Sequence, residues 1–230
     1  MSSEFDFDEQ LGNCGHHDND LVCHGADMIA REIKQGTKFD DKQIAQISEV
    51  IVSLLTSLNT DGNERSKEVK ASGIHLLQVL VPDVHISKYK NVLTTLLDKL
   101  KGKGEKLIKM TEIQRKSKTT EEVSIMDIYS LGLSHIIEKC DDDSRVQVTA
   151  QISTAIMNMM KKLKASPHLM QYCFDIITKL LKTDVEGKKI FPLFLVQMIE
   201  KQSIRIPEFT STFSFNIHTH WFFSSFSHCR

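Results

Sequence analysis

The amino-acid sequence predicts an all-α protein built from stacked helical hairpins. Apolar residues recur every three or four positions between residues 20 and 202, which is the spacing of an amphipathic helix. Short polar segments interrupt this pattern. Between residues 20 and 202 apolar and polar residues do not alternate at every second position, as a half-buried strand requires. The alternative arrangement of the same helices is a compact helical bundle.

The first predicted helix begins after Asp40. Asp40 and Gln43 resemble a capping box, in which each side chain accepts a hydrogen bond from the backbone N–H of the other residue. The helix is expected to end near Asn59, Asp61 and Gly62. Its apolar face consists of Ile44, Ile47, Ile51, Leu54, Leu55 and Leu58.

Proline and glycine set the expected ends of the next two helices. Pro82 should end the first of them, because proline has no N–H donor and disfavours helix in the residue before it. Gly102 and Gly104 should end the second. The apolar residues are Val69, Leu76, Leu77 and Leu80 in the first helix, and Ile86, Tyr89, Leu93, Leu96, Leu97 and Leu100 in the second.

Three further helices are expected to begin at polar caps. Thr119 with Glu122 opens one, Ser144 opens another, and Ser166 followed by Pro167 forms a cap and first-turn proline for the third. Their apolar faces include Ile125, Ile128, Leu131, Ile136 and Ile137, then Val148, Ile152, Ile156, Met159 and Met160, then Leu169, Cys173, Ile176, Ile177 and Leu180.

Composition divides the chain into three parts. Residues 1–19 are predicted to be an acidic disordered tail, and residues 20–202 a helical repeat domain. Residues 203–230 form an irregular tail rich in aromatic residues and serine, with the only tryptophan of the chain, Trp221. This tail is interpreted as an alternative or truncated end that does not belong to the fold. The alternatives are an aromatic peptide that docks on a partner and an aromatic cap on the last helix.

A resemblance to known repeats rests on two features. Helices expected near residues 41, 83, 120 and 167 recur at an interval typical of paired-helix repeats. Residues 187–199 consist of a glycine, a short link, and Pro192 before a strongly apolar helix, with the Leu195–Val196 pair one residue further from the proline than usual. This pattern resembles the armadillo and HEAT superfamily, which implies an α-solenoid with a concave surface that binds another macromolecule.

Charge is distributed unevenly although the net charge is only −1. The segment 99–118 contains eight lysine and arginine residues against Glu105 and Glu112. It is interpreted either as a solvated linker or as a stripe that binds an acidic partner. The candidate partner-binding residues are Lys101, Lys103, Lys106, Lys109, Arg115, Lys116 and Lys118.

Metal and catalytic patterns are weak. A group of soft ligands near the start, Cys14, His16, His17, Cys23 and His24, does not have the spacing of a known zinc site. No phosphate loop, nucleophile elbow or zinc-protease helix is present. The acidic pairs at residues 141–143 and 121–122 are interpreted as helix caps. We therefore expect no metal, no cofactor and no enzymatic activity.

The predicted function is that of a scaffold or adaptor that binds a protein partner through its helical surface. The alternative is a helical repeat protein that binds nucleic acid through the segment 99–118. No stretch is apolar enough to insert into a membrane, and the five scattered cysteines favour a reducing compartment, the cytoplasm or nucleus.

Overall fold

The computed structural model describes residues 5–58, 62, 64–110, 112–162 and 167–183. They belong to one compact unit, Met1–Lys188, and the second unit, Lys189–Arg230, lies outside them. The predicted armadillo-like segment at 187–199 and the aromatic tail at 203–230 therefore also lie outside the described residues.

The described residues are almost entirely helical, which confirms the all-α class. They contain eight α-helices and two short 3-10 helices at Val81–Asp83 and Ile86–Lys88. In chain order the α-helices are α1 (Phe7–Cys14), α2 (Asn19–Lys34), α3 (Asp41–Thr56), α4 (Lys67–Leu80), α5 (Lys90–Lys109), α6 (Glu112–Lys139), α7 (Asp142–Lys162) and α8 (Pro167–Thr183).

Consecutive helices pack in pairs: α1 with α2, α3 with α4, α5 with α6, and α7 with α8. Between pairs, the odd-numbered helices contact one another in the order α1, α3, α5, α7, and the even-numbered helices in the order α2, α4, α6, α8. The helices therefore form an odd layer and an even layer. Their apolar faces are buried, as predicted, at Ile51, Leu54, Leu77, Leu96 and Ile136. The prediction is wrong for Leu58 and Leu131, which are 55% and 54% exposed.

The start of α3 confirms the predicted capping box. Asp40 Oδ1 accepts the Gln43 backbone N–H at 2.8 Å, and Gln43 Oε1 accepts the Asp40 backbone N–H at 2.9 Å. The end of α4 at Leu80, followed by a 3-10 turn that contains Pro82, also agrees with the prediction. At the start of α7, the cap is Asp141, whose carboxylate accepts the Ser144 N–H at 2.8 Å, so the predicted cap at Ser144 is displaced by one turn.

The prediction of a disordered tail at 1–19 is wrong for the described part of that segment. Asp6 caps α1 by accepting the backbone N–H groups of Asp8 and Glu9 at 3.0 and 3.1 Å. The helix then packs closely on α2, where a Cβ added at Gly25 would lie 2.8 Å from the Gln10 carbonyl oxygen. The acidic residues of this segment lie at the N-terminal ends of α1 and α2, where carboxylates are favoured.

Gly102 and Gly104 do not end α5, which continues to Lys109. Gly104 lies where α5 meets α8, and a Cβ there would be 2.4 Å from Leu169 Cδ2. The glycine permits close helix packing, so its presence was a misleading signal of a helix end. The next helix, α6, begins at Glu112, well before Thr119.

The predicted pairing of helices agrees with the structure near residues 41 and 83 but is out of phase near residues 120 and 167. The pairs begin at Phe7, Asp41, Lys90 and Asp142, and the helices predicted near 120 and 167 are the second members of their pairs.

Candidate functional site

The predicted basic segment is split between the end of α5 and the start of α6. Lys101 is half-exposed and lies 3.8 Å from Glu105, one turn further along α5. Lys109 and Lys118 are exposed. Arg115 and Lys116 belong to α6, and their side chains lie outside the described residues. The remaining two predicted residues, Lys103 and Lys106, take part in an internal network.

This network joins three helices and the loop before α4. Lys103 Nζ lies 2.9 and 2.8 Å from the two carboxylate oxygens of Glu64 and 2.7 Å from Oε2 of Glu122. Lys106 pairs with the other oxygen of Glu122. Lys70 Nζ donates to the Arg65 carbonyl at 2.9 Å and lies 3.8 Å from Glu64. We call Glu64, Lys70, Lys103, Lys106 and Glu122 the ion cluster.

Most of the ion cluster is inside the protein. Lys70, Lys103 and Glu122 are 1%, 5% and 4% exposed, whereas Lys106 reaches solvent. Burial opposes ionisation of Glu122 and Glu64, but hydrogen bonds and attraction from the lysines outweigh it and lower the pKa of both carboxyl groups. Burial lowers the pKa of Lys70. Attraction to Glu64 raises this pKa but only partly offsets the effect of burial.

The ion cluster changes the meaning of the basic segment. Lys103 is inaccessible, and both Lys103 and Lys106 already neutralise Glu122. The contacts of Glu122 with Lys103 and Lys106 also correct its interpretation as a cap, since it lies in the interior of α6. Among the predicted residues whose side chains are described, Lys103 and Lys106 are ion-pair partners of Glu122, whereas Lys101, Lys109 and Lys118 lie at the surface.

A signal for the ion cluster is present in the sequence. Its three buried members occupy positions of apolar stripes: Lys70 precedes Ile74 and Leu77, Lys103 lies between Leu100 and Leu107, and Glu122 precedes Ile125 and Tyr129. A charged residue at a stripe position predicts a buried ion pair, because an unpaired buried charge is strongly unfavourable. The partner Glu64 lies in a loop and has no such signal.

Sequence reasoning also missed a groove between α6 and α8. It encloses about 460 Å³ and is open to solvent along one side. We call it the α6–α8 groove. Its lining residues are Asp127, Ser130, Leu131 and Ser134 from α6, and Tyr172, Asp175, Thr178, Lys179 and Lys182 from α8.

The groove combines an apolar residue with charged ends. Leu131 is 54% exposed, one of four large apolar side chains exposed among the described residues. At one end the Tyr172 hydroxyl donates to Asp127 Oδ1 at 2.6 Å. Burial, and then the Asp127 carboxylate, raise the pKa of Tyr172, so this hydroxyl remains a donor at neutral pH. At the other end Lys179 pairs with Glu138.

Among the described residues, no group of three or more histidine, cysteine, aspartate or glutamate side chains is placed so that it could hold a metal ion. The candidate cluster near the start contributes to local structure: His16 Nδ1 accepts the Asp18 N–H at 3.1 Å, and Cys14 is buried against α2. Burial, followed by the nearby Cys23, raises the pKa of Cys14 to about 12.

Comparison with known proteins finds no matching family model, no matching curated protein and no matching solved structure. The armadillo and HEAT resemblance accordingly stays a prediction. Within the described part of the chain, no helix combines the length and apolar character needed to cross a membrane.

Proposed function

We propose that this protein is a non-enzymatic scaffold or adaptor that binds a protein partner through the even layer, at the α6–α8 groove. The observation that carries the proposal is Leu131, an exposed leucine on the wall of a groove with charged and hydroxyl side chains around it. Exposed apolar side chains inside a concave, polar-rimmed site are typical of protein interaction surfaces.

The order of the helices supports the same proposal. We propose that the four helix pairs are stacked hairpins of an α-solenoid, because the second helices contact one another in sequence and the first helices do likewise. In such a stack the even layer is a continuous surface assembled from successive hairpins. We place the protein in the cytoplasm or nucleus, where the free thiols of Cys14, Cys23, Cys140 and Cys173 stay reduced.

Nucleic acid is the less favoured partner. The ion cluster occupies Lys103 and Lys106, and the groove contains Asp127 and Asp175, whose charge would repel phosphates. If the protein bound DNA or RNA through Lys101, Lys109 and Lys118, its affinity should fall steeply between about 50 and 200 mM salt. Binding in a groove around Leu131 requires only a weak dependence on salt.

Affinity capture with the full chain and quantitative mass spectrometry tests the proposal. Leu131→Arg should remove the partner, because a charged side chain would replace the apolar contact. Val146→Arg is the matched control: Val146 is 57% exposed, close to the value for Leu131, but lies on α7 in the odd layer. Proteins retained by Val146→Arg and lost from Leu131→Arg would support the groove. Capture of the same proteins by the wild type, Leu131→Arg and Val146→Arg would refute it.

A further inference from the structure

The α6–α8 groove has a direction, because its two walls run parallel. Tyr172 of α8 contacts Val123 and Asp127 of α6, and seven residues later Lys179 contacts Glu138 of α6. The N-terminal halves of the two walls therefore lie at one end of the groove, and the C-terminal halves at the other.

Charge changes sign along this direction. Asp127 and Asp175 supply exposed carboxylates to the first part of the groove. Each accepts one side-chain hydrogen bond, from Tyr172 at 2.6 Å and from Gln171 at 3.0 Å, so each retains free acceptor sites. Lys179 and Lys182 supply ammonium groups to the last part, where Lys179 is paired with Glu138, so these three side chains together carry a net charge of +1. The exposed Leu131 lies between them along α6.

The length of the groove suits a short helix. From Tyr172 to Lys182 the wall formed by α8 extends roughly 15 Å at about 1.5 Å per residue, which a helix of about three turns would match. Such a helix is most stable with acidic residues in its first turn and basic residues in its last turn, because of its macrodipole. Opposite charges across an interface set the orientation of a partner more than its affinity.

Building on the proposed function, we infer that the α6–α8 groove binds an amphipathic helix of a partner protein in one orientation. The acidic N-terminal turn of that helix contacts Lys179 and Lys182, an aliphatic side chain in its middle contacts Leu131, and its basic C-terminal turn contacts Asp127 and Asp175. The bound helix runs antiparallel to α6 and α8.

Selection from a displayed library of 14-residue helical peptides against the full chain tests this inference. The expected sequences carry acidic residues in the first turn, leucine or isoleucine in the middle and lysine or arginine in the last turn. One selected peptide and its charge-reversed counterpart, which has the same composition, are then compared by fluorescence anisotropy. We expect about tenfold weaker binding of the reversed peptide, from two to three mismatched surface charge pairs.

The double variant Asp175→Lys with Lys182→Asp exchanges one charge at each end of the groove without changing net charge. Because Asp127 and Lys179 remain, it should remove most of the preference between the two peptides. Leu131→Arg should weaken both peptides, and Val146→Arg should weaken neither.

Three results of the peptide experiments would overturn the inference: no enriched peptide, an enriched set without the expected charge order, or a preference that the double variant leaves unchanged. Self-association that Leu131→Arg abolishes would also overturn it, by assigning the groove to a second copy of the chain. The proposed function is tested separately by the affinity capture. It is refuted if the set of captured cellular proteins does not depend on Leu131.

Discussion

Two residues of α6 reverse the usual rule about which side chains are buried. Glu122 is charged and 4% exposed, whereas Leu131 is apolar and 54% exposed. They are nine residues apart, which places them on opposite sides of the helix at 3.6 residues per turn. Glu122 faces α5 and the ion cluster, and Leu131 faces the α6–α8 groove.

The two exceptions have different physical consequences. A buried carboxylate must keep its ammonium partners, so Glu122 holds α5, α6 and the loop before α4 in one relative arrangement. An exposed leucine is easily tolerated by the folded state, so Leu131 is free to contribute to binding. Changes at the ion cluster should alter stability, and changes at the groove should alter recognition.

The largest effect is expected for Lys103→Met, which removes the central cation of the ion cluster. Loss of one partner of a buried ion pair costs about 3–5 kcal/mol. We expect about 3 kcal/mol in a urea titration, the lower end of that range, because Lys106 still contacts Glu122 and Glu64 is partly exposed.

Lys101→Met is the control for that change, because Lys101 is half-exposed and its ion pair with Glu105 lies along α5 itself. It should alter the free energy of unfolding by less than about 0.5 kcal/mol. Adding Glu122→Met to Lys103→Met should recover most of the lost stability. Equal stability of Lys103→Met and the wild type would mean that the ion cluster does not form in solution.

Two glycines of α5, Gly102 and Gly104, are two residues apart and should respond in opposite ways. A Cβ at Gly104 meets Cδ2, Cγ and Cβ of Leu169 at 2.4, 3.0 and 3.1 Å, so Gly104→Ala must displace that side chain or separate the helices. We expect destabilisation by about 1–3 kcal/mol. Gly102 has no heavy atom within 4 Å of the same position, so Gly102→Ala should stabilise α5 by about 0.5–1 kcal/mol. Thermal unfolding by circular dichroism measures both, and a stabilised Gly104→Ala variant would contradict the close contact with α8.

Acid should destabilise the protein through the ion cluster. The pKa of Glu122 and of Glu64 is lower in the folded state than the ordinary value of 4.5. Below pH 4.5 the unfolded chain therefore binds more protons than the folded chain, and the stabilisation is lost as pH falls through the folded values. Glu122→Gln should flatten this part of the profile of unfolding free energy against pH. An equally steep acid limb in the variant would assign the effect to other carboxyl groups.

The smallest effect on stability is expected at the groove. Leu131→Arg replaces one exposed helix-forming residue with another and should change the free energy of unfolding by less than about 0.5 kcal/mol. Urea titration beside the Lys103→Met variant provides a direct comparison. A loss similar to that of Lys103→Met would show that Leu131 supports the fold, and would remove the basis for reading its exposure as a binding feature.

Local sequence was sufficient for many helix boundaries but not for their partners. The Asp40–Gln43 cap and the break at Pro82 depend on residues within four positions of each other, and both were predicted correctly. Gly104 was misread because its neighbour, Leu169, lies 65 residues further along the chain. Local sequence does not distinguish a glycine that ends a helix from one that allows a neighbouring helix to pack closely.

Sequence alone determined the all-α class and most of the buried faces, because helix periodicity and capping are local properties of the chain. The tertiary structure decided how the helices pair, which lysines are internal, and where the groove lies. Lys103 meets Glu64 and Glu122 across 39 and 19 positions, and the walls of the groove come from residues 127–134 and 172–182. Such contacts depend on packing between helices distant in sequence, and the spacing within one helix carries no information about which neighbour it will meet.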